Sequence, residues 1–206
     1  MPISVYNTLT RRKEELRSSR ESIGIYVCGV TPYSDTHLGH ARPSVVWDVI
    51  KKYLHYRGYK TYHVQNFTDI DDKIINRALE LGVEPLKLAE QYSEEYLESM
   101  DALGVARADL YPRVSRHIPD IISMIERLIE RGHAYAVNGN VFYSVLSFPE
   151  YGKLSNQKIE QLQAGTRFEV DPDKKHPLDF ALWKKAKPNE PAWDSPWGPG
   201  RPGWHI

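Results

Sequence analysis

The stretch from Ile23 to Phe67 constrains the fold more than any other part of the chain. "IGIYVC" (23–28) is short, β-branched and aromatic, the composition of a buried strand. A polar loop with Pro32 and Gly39 follows. From about Ala41 the pattern turns helical: Val45, Val46, Val49, Ile50, Tyr53 and Leu54 recur at three- and four-residue steps, and Gly58 ends the run. "TYHVQNF" (61–67) is a second strand. Strand, loop, long helix, glycine and strand make a βαβ unit, which implies a parallel sheet and a right-handed crossover. Ligands of such sheets sit at the carboxyl ends of the strands. Cys28 and Asn66 to Thr68 fall there.

The loop has a chemistry of its own. A helix N-terminus that follows a strand offers unpaired N–H groups and a positive dipole end to an anion. His37 and His40 flank Leu38-Gly39 at that point. Two imidazoles add donors for phosphate oxygens where charge develops in a transition state, and a glycine permits close approach of a ligand to the backbone. The stretch is suited to a nucleoside triphosphate, although nothing matches G-x-x-x-x-G-K-[ST]. The competing reading makes His37 and His40 a helix-start pair with a packing role.

Helices are predicted over 71–82, 84–104 and 115–132, each closed by a glycine (Gly82, Gly104, Gly132). "AYAV" and "VFYSV" flank Asn138-Gly139, a strong hairpin signal. Residues 172–206 hold seven of the 14 prolines and four of the five tryptophans, too apolar for a disordered linker. "FALWK" (180–184) is expected as a further strand of the parallel sheet. "RRKEELRSSR" (11–20) reads as a solvated face. Lys+Arg and Asp+Glu tie at 27, so no global charge draws the chain to nucleic acid. No apolar run approaches the ~20 residues of a membrane span. One cysteine forms no internal disulfide, which points to a reducing, cytoplasmic setting.

Several segments, in order, resemble one family. "NTLTRRKEEL" (7–16), "YVCG" (26–29), "HLGHAR" (37–42), "TDIDDKI" (68–74), "LQAG" (162–165), "PLDFALWK" (177–184) and "GRPGWHI" (200–206) are similar to the N-terminal half of the cysteinyl-tRNA synthetases, a family of class I synthetases whose signature is His-x-Gly-His. One departure is local: the family usually carries Val and Asp where this chain has Pro32 and Ser34. The resemblance implies an α/β fold, a Rossmann-like parallel sheet with a helical and hairpin connective insertion, apparently truncated. It implies a first half of the catalytic domain at 1–111, an insertion at 112–176 and a return to the catalytic domain at 177–206. The implied activity is ATP-dependent conversion of cysteine to cysteinyl-adenylate, then transfer to tRNA, by a cytoplasmic monomer with no membrane partner. Magnesium accompanies ATP as substrate.

The same resemblance implies the roles. His37 and His40 are catalytic, and Thr31, His37, Gly39 and His40 hold ATP. Gly29, Tyr33, Thr68 and Trp204 contact cysteine. Cys28 is one of four ligands of a single zinc ion, whose other ligands lie beyond residue 206. Zinc has a rationale here, because it bonds a substrate thiolate directly while shape alone separates serine from cysteine only modestly. The bland alternatives stand beside these roles. Cys28 and Trp204 could be core residues. In "TDIDDK" Thr68 or Asp69 could be a helix cap, with Asp71 and Asp72 in its first turn. The eight histidines and one cysteine contain no complete Cys/His set at zinc spacing, so zinc is expected to be weak or absent in this chain. A lysine-rich Lys-Met-Ser-Lys-Ser segment is absent, and the chain alone is expected to be inactive. Two other functions remain open: a cysteine ligase of mycothiol biosynthesis, and a non-catalytic module with a synthetase-like fold.

Overall fold

The computed structural model describes residues 2–17, 21–159 and 171–206. In chain order the elements are strands β1 (Ser4–Asn7), β2 (Arg12–Glu15) and β3 (Ile23–Val27), helix α1 (Leu38–Tyr56), strand β4 (Thr61–Gln65), helices α2 (Asp72–Leu81), α3 (Pro85–Ala102) and α4 (Ile118–Glu130), and strands β5 (Ala134–Val137), β6 (Asn140–Tyr143), β7 (Phe180–Lys185) and β8 (Gly200–Pro202). The chain forms two compact units. One comprises 18–117 and the other comprises 1–17 with 118–206.

The 18–117 unit holds the βαβ motif. β3 and β4 pair in parallel, with Ile23 opposite Thr61 and Val27 opposite Gln65, and α1 is the crossover. Parallel bridges from Val64 to Leu110 and from Phe67 to Arg113 extend the sheet beyond β4. Ile23, Ile25 and Val27 are buried while Tyr26 is exposed, so β3 has one covered face. One apolar cluster gathers Ala41, Phe67, Tyr96 and Met100. A second gathers Ile74, Ala78, Leu88 and Ala89, with Tyr33 against it.

The helix ends differ in detail from the sequence expectation. The N-cap of α2 is Asp71, whose carboxylate accepts from Lys73 N–H at 2.9 Å, rather than Thr68 or Asp69. Asp69 is buried and turned elsewhere: it accepts from Ser115 N–H at 3.0 Å and from the Ser115 hydroxyl. Gly82 closes α2 at φ 66°, a left-handed cap. The helix expected from Ser115 is interrupted. Val114–Arg116 form a 3₁₀ turn and α4 starts at Ile118.

α1 departs from the usual pattern most. An apolar stripe ordinarily faces the core. Here Val45, Val46, Val49, Ile50 and Tyr53 are exposed, and the buried residues are Ala41, Ser44, Asp48, Lys51 and Leu54. Three of these five are polar, and the charged pair is satisfied: Asp48 accepts from Ala106 N–H at 3.0 Å and pairs with Lys52 at 2.6 Å, and Lys51 Nζ donates to the Arg107 carbonyl at 2.8 Å.

In the other unit Asn138 (φ 52°) and Gly139 (φ 88°) form the tight turn between β5 and β6, both at positive φ as a primed turn requires. β7 then pairs antiparallel with β6, and β8 with β7, in a four-stranded sheet. "FALWK" is therefore not a strand of the parallel sheet. The hairpin leaves a free β6 edge, and β7 takes it with Trp183 opposite Val141 and Trp183 fully buried. Asp179 anchors the approach, accepting from Tyr135 Oη at 2.7 Å and Val145 N–H at 2.9 Å.

Candidate active site

At the carboxyl ends of β3 and β4 a cleft of about 290 Å³ opens against the start of α1. It is small for a ligand pocket. Cys28, Gly29, Thr31, Tyr33, Gly39 and His40 line it, joined by Pro43, Ser44, Gln65, Lys73 and Tyr96. Six residues singled out in the sequence thus meet in one place. His37 stacks on His40, ring centroids 4.0 Å apart. Thr68 is buried, with its N–H on the Val30 carbonyl at 3.1 Å, and Asn66 Nδ2 reaches its hydroxyl at 3.4 Å. Trp204 belongs to the other unit and is exposed. Larger clefts, about 630 and 730 Å³, lie in that unit against residues 148–159 and contain none of the expected residues.

The histidine pair caps α1 with reciprocal bonds. His37 has extended backbone angles, and its Nδ1 accepts from Gly39 N–H at 3.0 Å. His40 Nδ1 accepts from His37 N–H at 3.4 Å. The helix-start reading is therefore correct as structure, and it has a chemical consequence. A neutral ring whose Nδ1 accepts carries its proton on Nε2. Both rings then present an Nε2–H donor. Burial, with help from the His37 ring beside it, pushes His40 below the ordinary imidazole range, which keeps it neutral at pH 7. The glycine between them is demanded by the same geometry: a Cβ on Gly39 would come within 2.7 Å of the His37 ring. Pro43 has no N–H for the Gly39 carbonyl, so one acceptor of the first turn lacks its helical donor.

Gly29 is fixed by packing. A Cβ there would overlap the Asn66 carbonyl at 1.3 Å, and Gly29 N–H donates to Asn66 Oδ1 at 2.8 Å. Cys28 next to it is exposed at the cleft wall. Among the described residues, no three His, Cys, Asp or Glu side chains converge as a metal site. One thiol without further ligands does not make a tetrahedral zinc site, so the residues present do not by themselves fit the implied zinc. "LQAG" (162–165) lies outside the described residues.

Ser44, Gln65, Lys73 and Tyr96 were not singled out in the sequence. Lys73 is the one lysine or arginine among the described lining residues, and its Nζ sits 5.5 Å from the Tyr33 ring. Its place one step past the "TDIDD" acids was the available signal. The other three are polar residues on three elements, and no local spacing links them.

The chain is similar to known proteins. A family model described as the catalytic domain of class I (C) tRNA synthetases matches residues 15–206. The cysteine–tRNA ligase of Carboxydothermus hydrogenoformans is 57% identical over 205 residues, 99% of this chain and 44% of that protein. Those of Pelotomaculum thermopropionicum and Pyrococcus abyssi are each 58% identical, over 99% and 100% of this chain and 42% and 43% of their own lengths. The chain thus spans well under half of the curated relatives it matches. Among solved structures, methionyl-tRNA synthetase of Mycobacterium tuberculosis with methionyl-adenylate superposes at a TM-score of 0.51 with 23% identity, covering 60% of this chain and 25% of that one. A LeuRS of Agrobacterium radiobacter K84, in a ternary complex with tRNA and LeuAMS, does so at 0.51 with 19% identity, covering 64% and 18%. These two likenesses bear on the fold alone. The chain belongs to the family of class I (C) tRNA synthetase catalytic domains.

Proposed function

We propose that this chain is the part of a cysteine–tRNA ligase that holds ATP and cysteine for adenylation. The observation that carries the reading is the cleft at the α1 N-terminus, with two Nε2–H donors set by the reciprocal histidine cap. The cysteine carboxylate attacks the α-phosphate in line, the bond to the bridging oxygen breaks, and pyrophosphate leaves with its magnesium. His37 and His40 donate to phosphate oxygens as charge grows on them. The helix dipole and Lys73 add positive potential at the same mouth. No side chain need act as nucleophile, because positioning and charge stabilisation carry the rate. The aminoacyl group then passes to the terminal ribose of tRNA.

Gly29, Tyr33, Thr68 and Trp204 as cysteine contacts, and Thr31 and Gly39 as ATP contacts, are part of the same proposal. So is the division at 1–111, 112–176 and 177–206. Cys28 is proposed as a zinc ligand in company with groups that the described residues do not bring to it. When bound, zinc would supply sulfur-selective recognition of the substrate thiol. A monomer acting in the cytoplasm completes the reading. The lone exposed thiol supports a reducing compartment. Relatives named cysteine–tRNA ligase, at 54–58% identity, favour tRNA over an amino sugar as acceptor.

The test is cysteine-dependent ATP–pyrophosphate exchange in a protein of the relatives' length that contains this chain. His40→Ala is expected to lower exchange about 100-fold or more, while the thermal midpoint falls by no more than the loss of one helix-cap bond allows. Normal exchange in that variant would return the histidines to a purely structural role. No exchange in the parent protein would favour a non-catalytic module.

A further inference from the structure

We propose that Tyr96 is a positioning residue for the proposed adenylation site, acting through a one-directional hydrogen-bond chain in the cleft floor; this rests on the ATP reading above. Tyr96 comes from α3 and is 2% exposed. Its hydroxyl meets Ser44 Oγ of α1 at 2.8 Å, and Gln65 Nε2 of β4 donates to it at 3.1 Å. Ser44 Oγ donates to the His40 carbonyl at 2.9 Å. A serine hydroxyl has one proton. With that proton on His40, the Tyr96 hydroxyl must donate to Ser44. The order is therefore Gln65 N–H to Tyr96 O–H to Ser44 O–H to His40 C=O, with both hydroxyl protons used and each bond polarising the next.

The chain ends on the residue whose ring the proposed reaction needs. It starts on the last residue of β4, which pairs with Val27 beside Cys28. Tyr96 thus ties the first turn of α1 to the strand end that carries the opposite wall of the cleft. Ser44, Gln65 and Tyr96 all line that cleft. The same three residues border a second, water-sized cavity of about 10 Å³ behind it, with His63, Asp48 and Tyr111. The floor has little slack on the side of that cavity. The Tyr96 ring is held separately, edge-on to Phe67 at 5.8 Å. Tyr96→Phe therefore removes the bridge and keeps the packing.

The experiment uses a protein of the relatives' length that contains this chain, Mg-ATP as probe, and nitrogen-15 spectra of the histidine rings. Tyr96→Phe and Ser44→Ala are each expected to weaken ATP binding about tenfold and to change the Nδ1 and Nε2 signals of His40. The double variant should lose little beyond either single, since both cut one chain. A thermal midpoint within a few degrees of wild type separates positioning from unfolding. Wild-type ATP affinity and His40 spectra in both single variants would overturn the proposal, as would a double variant whose loss is the product of the two. If Tyr96→Phe does not fold, Ser44→Ala and Gln65→Met carry the same prediction. If the wild type binds no ATP, the ATP reading fails. The ring spectra still decide on Tyr96: unchanged His40 signals in the variants sink it, and changed signals keep its hold on α1.

Discussion

The two faces of α1 contrast sharply. One carries Val45, Val46, Val49, Ile50 and Tyr53 and is exposed; the other carries Ser44, Asp48 and Lys51 and is buried. The apolar face makes the segment a recognisable helix. The inward face packs through Ala41 and Leu54 and through polar groups that each find a partner on another segment: Ser44 on Tyr96, Asp48 on Ala106, Lys51 on Arg107. Periodicity therefore identified the element correctly, yet the side it turns inward is set by hydrogen bonds to residues about 50 positions away in the chain.

The contrast is sharpened first at Asp48. Asp48→Ala leaves Ala106 N–H without its acceptor and removes the ion-pair partner of Lys52, which keeps the Gly104 carbonyl, and it is expected to cost about 1–3 kcal/mol. A urea midpoint equal to wild type would show that the buried face does not hold the helix. Lys51→Met keeps the buried stem and loses one hydrogen bond to the Arg107 carbonyl, so about 1 kcal/mol is expected. Stabilisation by that swap would mean that desolvation of the ammonium outweighs its bond.

Acid should also act on this side of the helix. Burial, and then Lys51, push His63 below the ordinary imidazole value of 6.5, against a smaller pull from Asp109. His40 is lowered too, by burial first. A group depressed in the folded state binds fewer protons there than in the unfolded chain. Its contribution is therefore fully present above about pH 6.5 and is lost as pH falls toward the folded pKa. Denaturation at about pH 7.5 and about pH 5.5 should show the loss, and His63→Gln should shrink it. Rising stability on acidification over that window would contradict both shifts. The smallest effect is expected at Val49, which is 59% exposed. Val49→Ser should change stability by no more than about 0.5 kcal/mol, and a loss several times larger would mean that this face is covered in solution.

Local chemistry was legible in the sequence where a local bond expresses it. Asn138-Gly139 specified its turn because both residues tolerate positive φ, and Gly82 ended α2 for the same reason. The cluster of Cys28, Gly29, Tyr33, Gly39 and His40 was legible because a strand end and a helix start bring neighbours in sequence together. The α2 cap was misplaced because Asp69, Asp71 and Asp72 are equivalent as acids. The distant Ser115 engages Asp69 and takes it from the cap, which falls to Asp71. "FALWK" had the composition of a buried strand and is one, but its partner depends on which edge is free. Gln65 and Tyr96 were missed because nothing local marks a polar residue as part of a three-element chain.

The central claim, that the capped histidine pair forms a phosphate-binding mouth, is tested most directly by titrating Mg-ATP into a nitrogen-15-labelled protein of the relatives' length that contains this chain. The account predicts saturable shifts at the His37 and His40 ring nitrogens and at Cys28, Gly29, Gly39 and Lys73. It also predicts that His40→Ala abolishes them while the fold persists. Unmoved histidine rings, or shifts confined to residues 148–159, would contradict it.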